Sequence, residues 1–175
     1  MPRHRYNSLF PHQPGWAPTW RGRVPRLIPT ERTLLFAWLD RHGVAIDELW
    51  YDVRMDGIPD DEPEASPDEL VDQPALMRNW WLQTARRCDA IARTGAFYTI
   101  LEMRARADAP TVGELEIYDR LSRTEWPELR FTLPTLICHT INATTRRALE
   151  LRGMTIHTLP DVPVHPSTPL AHLTR

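Results

Sequence analysis

The stretch CDAIARTGAFYTILEMRAR, residues 88–106, decides how the rest of the chain is read. Two short apolar runs, CDAIAR and FYTILEM, are separated by TGA, and runs of this kind divided by a glycine-containing turn predict a pair of antiparallel strands. Asp89 opens the first run and Glu102 closes the second, with Arg104 two positions beyond. Paired strands would bring both acids toward one point. Two chemistries then compete: carboxylate oxygens gathered for a hard divalent cation, or an internal ion pair of these acids with Arg104 or Arg106.

Upstream, TERTLLFAWLDRHG places Leu34, Leu35, Trp38 and Leu39 on one side of a helix, with Thr30 expected as its N-cap and Gly43 as its stop. IDELWYDVRM alternates as a strand does. A second helix is expected over 74–87, opened by Pro74 and carrying Leu76, Trp80 and Leu82; the Trp80–Trp81 pair cannot face one side entirely. Downstream, TVGELEIYDRLSRTEW predicts a helix with a capping box from Thr111 to Glu114 and a narrow apolar side of Leu115, Tyr118 and Leu121. LPTLICHTI then predicts a buried strand, ATTRRALELRG a short helix ending at Gly153, and MTIHTLP a last strand, together a β-α-β crossover.

Composition bounds the function classes. A chain of 175 residues, 42% hydrophobic and 25% charged, is sized for one globular domain with appendages, and no apolar run approaches the roughly 18 residues of a membrane span. The N-terminal residues are basic without a following apolar segment, so secretion by a signal peptide is not expected. Cys88 and Cys138 lack CxxC spacing and are expected as buried free thiols. Adjacent strand residues face opposite sides, which rules out a thiol–imidazole pair between Cys138 and His139. His4, His12, His157, His165 and His172 show no metal-ligand spacing, and neither a Gly-rich phosphate loop nor a GxSxG elbow is present.

Charge is uneven along the chain. All 21 Lys-plus-Arg residues are Arg. Five of them, Arg3, Arg5, Arg21, Arg23 and Arg26, lie in the first 30 residues, which contain no acid, whereas 56–72 (DGIPDDEPEASPDELVD) is acidic with no base. The division expected is an extended Pro-, aromatic- and Arg-rich arm over 1–29, an α/β domain over 30–160 with the acidic loop 56–72, and a Pro-rich tail over 161–175.

The element order, with Asp89 on one strand, Glu102-x-Arg104 on the next and GELEIY (113–118) in the following helix, resembles the restriction-endonuclease-like superfamily known as PD-(D/E)xK. That resemblance implies an α/β fold with a mixed central sheet flanked by helices, here with extended N- and C-terminal arms. It implies Asp89 and Glu102 as ligands of Mg²⁺, Glu31 as a further acid, and Arg104 where the family has Lys. Departures bear on activity: Arg is bulkier than Lys and permanently charged, and Glu114 stands where the family pattern has Gln.

A second resemblance is to small Arg-rich proteins encoded beside structural genes of tailed bacteriophages. It implies a structural or assembly protein of the particle, at the head-tail junction or in the tail, built on a non-catalytic nuclease-like scaffold that needs no cofactor. On this reading the arm binds other protein subunits, with Trp16 and Trp20 as anchors, Phe10 and Tyr6 beside them, and Arg21 and Arg23 at the rim; the chain would work in the virion or in the host cytoplasm. The alternative is a Mg²⁺-dependent DNA endonuclease with Asp89, Glu102 and Arg104 in the catalytic roles.

Overall fold

The computed structural model describes residues 5–6, 14–22, 24, 27–55 and 86–163. The expected acidic loop, residues 74–85 of the expected second helix, Phe10, Arg23 and residues 164–175 of the tail lie outside these. Among the described residues eight strands form one mixed sheet: β1 (Arg5–Tyr6), β2 (Pro14–Trp16), β3 (Glu48–Arg54), β4 (Arg87–Thr94), β5 (Phe97–Ala107), β6 (Arg130–Phe131), β7 (Thr135–Ile141) and β8 (Thr155–Thr158). Their order is β1-β2-β3-β4-β5-β7-β8, with β6 also on β5. Pairing is antiparallel from β1 to β5 and parallel from β5 through β7 to β8. Among the described residues three helices accompany it: α1 (Pro29–His42), α2 (Ala109–Glu125) and α3 (Ala143–Glu150).

Strand alternation sends successive residues to two cores. Leu34, Leu35, Trp38 and Leu39 of α1 pack with Leu49, Tyr51, Ala90, Leu101, Met103 and Ile137. Leu115 and Tyr118 of α2 and Leu149 of α3 pack with Trp50, Val53, Ile91, Ile100, Leu136 and Cys138. Neighbours such as Ile100 and Leu101, or Leu136 and Ile137, therefore divide between a layer of α1 and a layer of α2 and α3. β7, α3 and β8 form the expected β-α-β crossover, and α3 begins at Asn142, whose side chain accepts a hydrogen bond from the Thr145 amide at 2.8 Å.

Helix boundaries differ from the sequence reading. Pro29 occupies the first turn of α1, so the N-cap is Ile28, with its amide bound by Glu31 at 3.2 Å, and Thr30 lies inside the helix. Gly43 caps the far end at a right-handed φ of −70°, so the chain runs on into a 3-10 turn, Gly43–Ala45. The capping box of α2 is one turn earlier than expected: Asp108 is the N-cap and Thr111 its reciprocal partner, at 3.3 Å. Pro110 in that first turn favours the earlier start, and the shift releases Glu114 from capping.

The arm expected to stand apart contributes to the sheet. β2 pairs with β3, which sets Gly15 opposite Trp50 and Trp16 opposite Leu49, so the boundary expected at residue 29 falls within a continuous sheet. The Trp16 and Trp20 rings lie 4.1 Å apart, centroid to centroid, and 6.2 and 6.0 Å from Tyr51. Arg21 pairs with Asp40 of α1 at 2.5 Å and lies over the Phe36 ring. Trp16 and Trp20, expected as partner anchors, and Arg21, expected at the rim, are engaged with their own domain, because β-pairing brings the arm's aromatics onto the Tyr51 face. Tyr6 is placed only as part of β1.

Candidate active site

The hairpin β4–β5 is regular near its turn and opens beyond it. The ladder runs from Thr94↔Phe97 to Ala90↔Leu101. One step farther, side chains replace the backbone bonds: Glu102 Oε2 accepts the Asp89 amide at 3.3 Å, and Asp89 Oδ2 accepts the Met103 amide at 2.8 Å. From there β5 pairs in parallel with β7, from Leu101↔Thr135 to Ala107↔Ile141. The two acids thus satisfy backbone amides at the point where the strands part.

A local kink accompanies the opening. Asp52 on β3 adopts φ 54°, the left-handed region that an L residue visits at a cost, and its carboxylate pairs with Arg87 at 2.8 Å. Trp50 and Val53 belong to one core although three apart, as do Cys88 and Ile91, so alternation shifts by one in both strands near the Asp52 and Asp89 positions. This shift sets the direction of Asp89.

Four carboxylates converge on one guanidinium at this opening. Arg104 Nη2 lies 2.6 Å from Glu102 Oε1 and 2.5 Å from Glu114 Oε2, while Nη1 lies 3.7 Å from Asp89 Oδ2 and 3.8 Å from Glu31 Oε1. Nη1 also donates to the Met103 carbonyl at 2.9 Å. Glu31 comes from α1 and Glu114 from α2, so helices from both layers contribute acids to one cluster. Tyr118, one turn beyond Glu114, has its hydroxyl 2.6 Å from the Arg87 carbonyl and 3.1 Å from Glu114 Oε1; its single hydrogen serves one acceptor at a time.

Charge here is poorly compensated. Burial raises Glu102 well above the ordinary carboxylate range, with the neighbouring Asp89 adding to the rise. Burial also pushes Asp89 up to about 7, against the Met103 amide, which lowers it. Glu31 is raised by burial too. Cys88 is held a thiol by burial and by Glu102 and Asp89, and burial pushes Cys138 up to about 11, which leaves neither as a nucleophile near neutral pH.

All four residues expected from the sequence, Glu31, Asp89, Glu102 and Arg104, therefore meet. Glu114, named from the sequence as standing where the family pattern has Gln, was not placed among the site residues, and its spacing from Thr111 suggested a cap; its four-residue distance from Tyr118 on one helix side was the available signal. His42 and His157, far apart in sequence, also come together, with ring centroids 4.6 Å apart beside Trp38. His139 Nδ1 lies 3.1 Å from the Leu159 carbonyl, away from Cys138 in its core.

The donor chemistry of Asp89 and Glu102 suits Mg²⁺ or Mn²⁺, which take carboxylate oxygen. As they stand, however, no three Asp, Glu, His or Cys side chains among the described residues are grouped to hold a metal ion. The guanidinium of Arg104 lies among the oxygens that would do so.

No protein-family model matches the chain, and no curated protein matches it. Among solved structures it is similar to an EndoMS–dsDNA complex, at 21% identity over 47% of this chain and 34% of that one, with a TM-score of 0.39. It is also similar to a repair endonuclease from Pyrococcus abyssi, at 18% identity over 49% of this chain and 46% of that one, with a TM-score of 0.37. The chain thus spans less than half the length of either structure.

Proposed function

We propose that the chain is a divalent-cation-dependent DNA endonuclease. The observation that carries this reading is the meeting of Asp89, Glu102, Glu31 and Glu114 where β4 and β5 part, four acids against one guanidinium. A surplus of buried carboxylate is costly to a fold and useful to a hard cation. Asp89 and Glu102, fixed by the Met103 and Asp89 amides, would hold the ion; Glu31 and Glu114 would balance its outer side. The cation supplies Lewis acidity and a lowered pKa for a bound water. Arg104 brings a planar fork suited to two phosphate oxygens, which a Lys ammonium would contact as a point charge. The acidic cluster repels a DNA phosphate unless a cation comes with it, so activity should depend on the metal absolutely.

Incubation of the purified chain with supercoiled plasmid and Mg²⁺ or Mn²⁺ tests the reading. Nicking is expected, reduced by at least about 100-fold in Glu102→Gln and Asp89→Asn, the scale seen when one preorganised charge-stabilising group is lost. Absence of cleavage with either cation, or undiminished cleavage by Glu102→Gln, rejects it. The assembly-protein reading has one observation in its favour: Arg104 already contacts all four carboxylates, as a purely internal ion cluster would. It requires both variants to behave like the parent chain in the cleavage assay.

A further inference from the structure

This inference rests on the cation-dependent reading and concerns how the site is kept before the metal arrives. Glu102 is 1% exposed, so its charge cannot be left to water. The counter-charge at hand is Arg104, 2.6 Å from Glu102 Oε1 and 3.7 Å from Asp89 Oδ2, the two groups a metal would need. A divalent ion takes carboxylate oxygen at roughly 2.0–2.6 Å. Seated on Glu102 Oε1, it would face a guanidinium nitrogen across a few ångströms of poorly solvated space, where like charges repel strongly. The two cations are alternatives.

The arrangement provides for the exchange. The Arg104 side chain is 26% exposed and that of Glu102 1%, so Arg104 is more open to solvent than the acid it neutralises. It also has a second close partner, Glu114 at 2.5 Å, on α2 rather than on the strands. Tyr118 Oη lies 3.1 Å from the other oxygen of Glu114, so its hydrogen can turn to that carboxylate when it leaves the Arg87 carbonyl. Arg104 can therefore leave Asp89 and Glu102 while keeping Glu114.

We propose that Arg104 is a built-in counter-ion that a divalent cation must displace, so that metal loading and release of the guanidinium fork toward a substrate phosphate are one coupled event. An empty site is then stable and closed to metal until substrate favours the exchange. Coupling of this kind is reciprocal: DNA tightens the metal, and the metal tightens DNA.

Titration calorimetry with Mn²⁺, paired with melting temperatures in chelator and in Mn²⁺, tests the exchange on the full chain, Arg104→Gln and Arg104→Lys. Arg104→Gln should bind Mn²⁺ on the order of tenfold or more tightly than the parent chain. It should also melt lower in chelator and recover in Mn²⁺. A short DNA duplex should tighten Mn²⁺ binding by the parent chain and much less by Arg104→Gln. If Arg104→Gln does not fold in chelator, Arg104→Lys carries a weaker form of the comparison: its compact ammonium lacks the fork that holds several carboxylates at once, so it should bind Mn²⁺ more tightly than the parent chain, by less than the Gln variant would. Equal Mn²⁺ affinity in the parent and both variants overturns the exchange and leaves the carboxylate site standing. No Mn²⁺ binding by any of them, with folding intact, overturns the cation-dependent reading and the exchange with it.

Discussion

The two ends of the β4–β5 hairpin are built from the same pair of strands and follow different rules. Toward the turn, from Ala90↔Leu101 to Thr94↔Phe97, backbone pairs with backbone and the side chains of Ile91 and Ile100 are fully buried. Away from it, Asp89 and Glu102 take over the amides, and charges replace hydrocarbon in the interior. The first end gains from burial, while the second bears a desolvation cost that raises the pKa of both acids. A fold has no need of the second arrangement, which is why the splayed end reads as a site and the turn end as scaffold.

The largest expected effect tests that division directly. Ile100→Ala removes a buried side chain from the α2–α3 core and should cost about 2–5 kcal/mol in denaturant unfolding. Glu102→Gln keeps the shape and the amide contact while removing one of several crowded negative charges, so its cost should be clearly smaller. Equal losses in the two variants would mean that the acids are as structural as the isoleucine, and the comparison would collapse.

A pH series separates the ends next. Asp89 is pushed up from 3.8 to about 7, so the folded chain holds this proton more tightly than the unfolded chain. The stabilisation linked to it is complete below the unfolded value and is lost as pH rises through about 7. Melting temperature in chelator should therefore fall from about pH 5 to pH 8 on account of this group, and Asp89→Asn should flatten the fall. His157, lowered by burial and by His42, works in the opposite sense on the acid side, so the difference between parent and variant is the informative quantity. An identical slope in Asp89→Asn would remove Asp89 from the titrating cluster.

Legibility in the sequence followed the same division. The hairpin was readable because TGA separates two apolar runs, and the crossover because LPTLICHTI and MTIHTLP flank a short helix. Glu31, Asp89, Glu102 and Arg104 were found through motif order, yet order alone could not tell whether Arg104 sits among the acids or apart from them. That depends on the parting of β4 and β5 and on the kink at Asp52, long-range features with no local signature. The role of Glu114 was hidden by a competing local pattern, Thr111-x-x-Glu114, which Asp108 and Pro110 override by starting the helix earlier. The arm misled for a related reason. Its prolines suggest extended chain correctly, but whether such a chain lies on its own sheet or on a partner is decided by the edge offered by β3.

The turn itself gives a smaller effect. Gly95 has φ +59° at the first of two residues linking the strands, and the carboxylate of Asp47 accepts its amide at 2.7 Å. A Cβ there meets nothing within 4 Å, so Gly95→Ala carries only the backbone penalty, about 1–2 kcal/mol. Because the turn is distant from the acids, metal response and pH slope should not change. A shift in either would show that the two ends of the hairpin are coupled.

The smallest effect uses α2, which carries an ion pair of each kind. Glu114 faces Arg104 in the cluster, whereas Asp119 pairs with Arg123 one turn along the helix surface, at 2.7 Å, with the Arg123 side chain 51% exposed. The distances are similar, so bond length alone predicts similar worth. Solvent decides otherwise: the exposed pair is screened by water and salt and must immobilise a long side chain, so Arg123→Ala should cost only about 0.3–0.5 kcal/mol. Raising salt to about 1 M, where the screening length is roughly 3 Å, should erase even that. The cluster should resist the same salt, since Glu102 is buried and its partner is held at 2.6 Å. If Arg123→Ala proves as damaging as Glu114→Gln, position on α2 rather than desolvation sets the worth of its charges, and the case for an electrostatically distinct site on this helix fails.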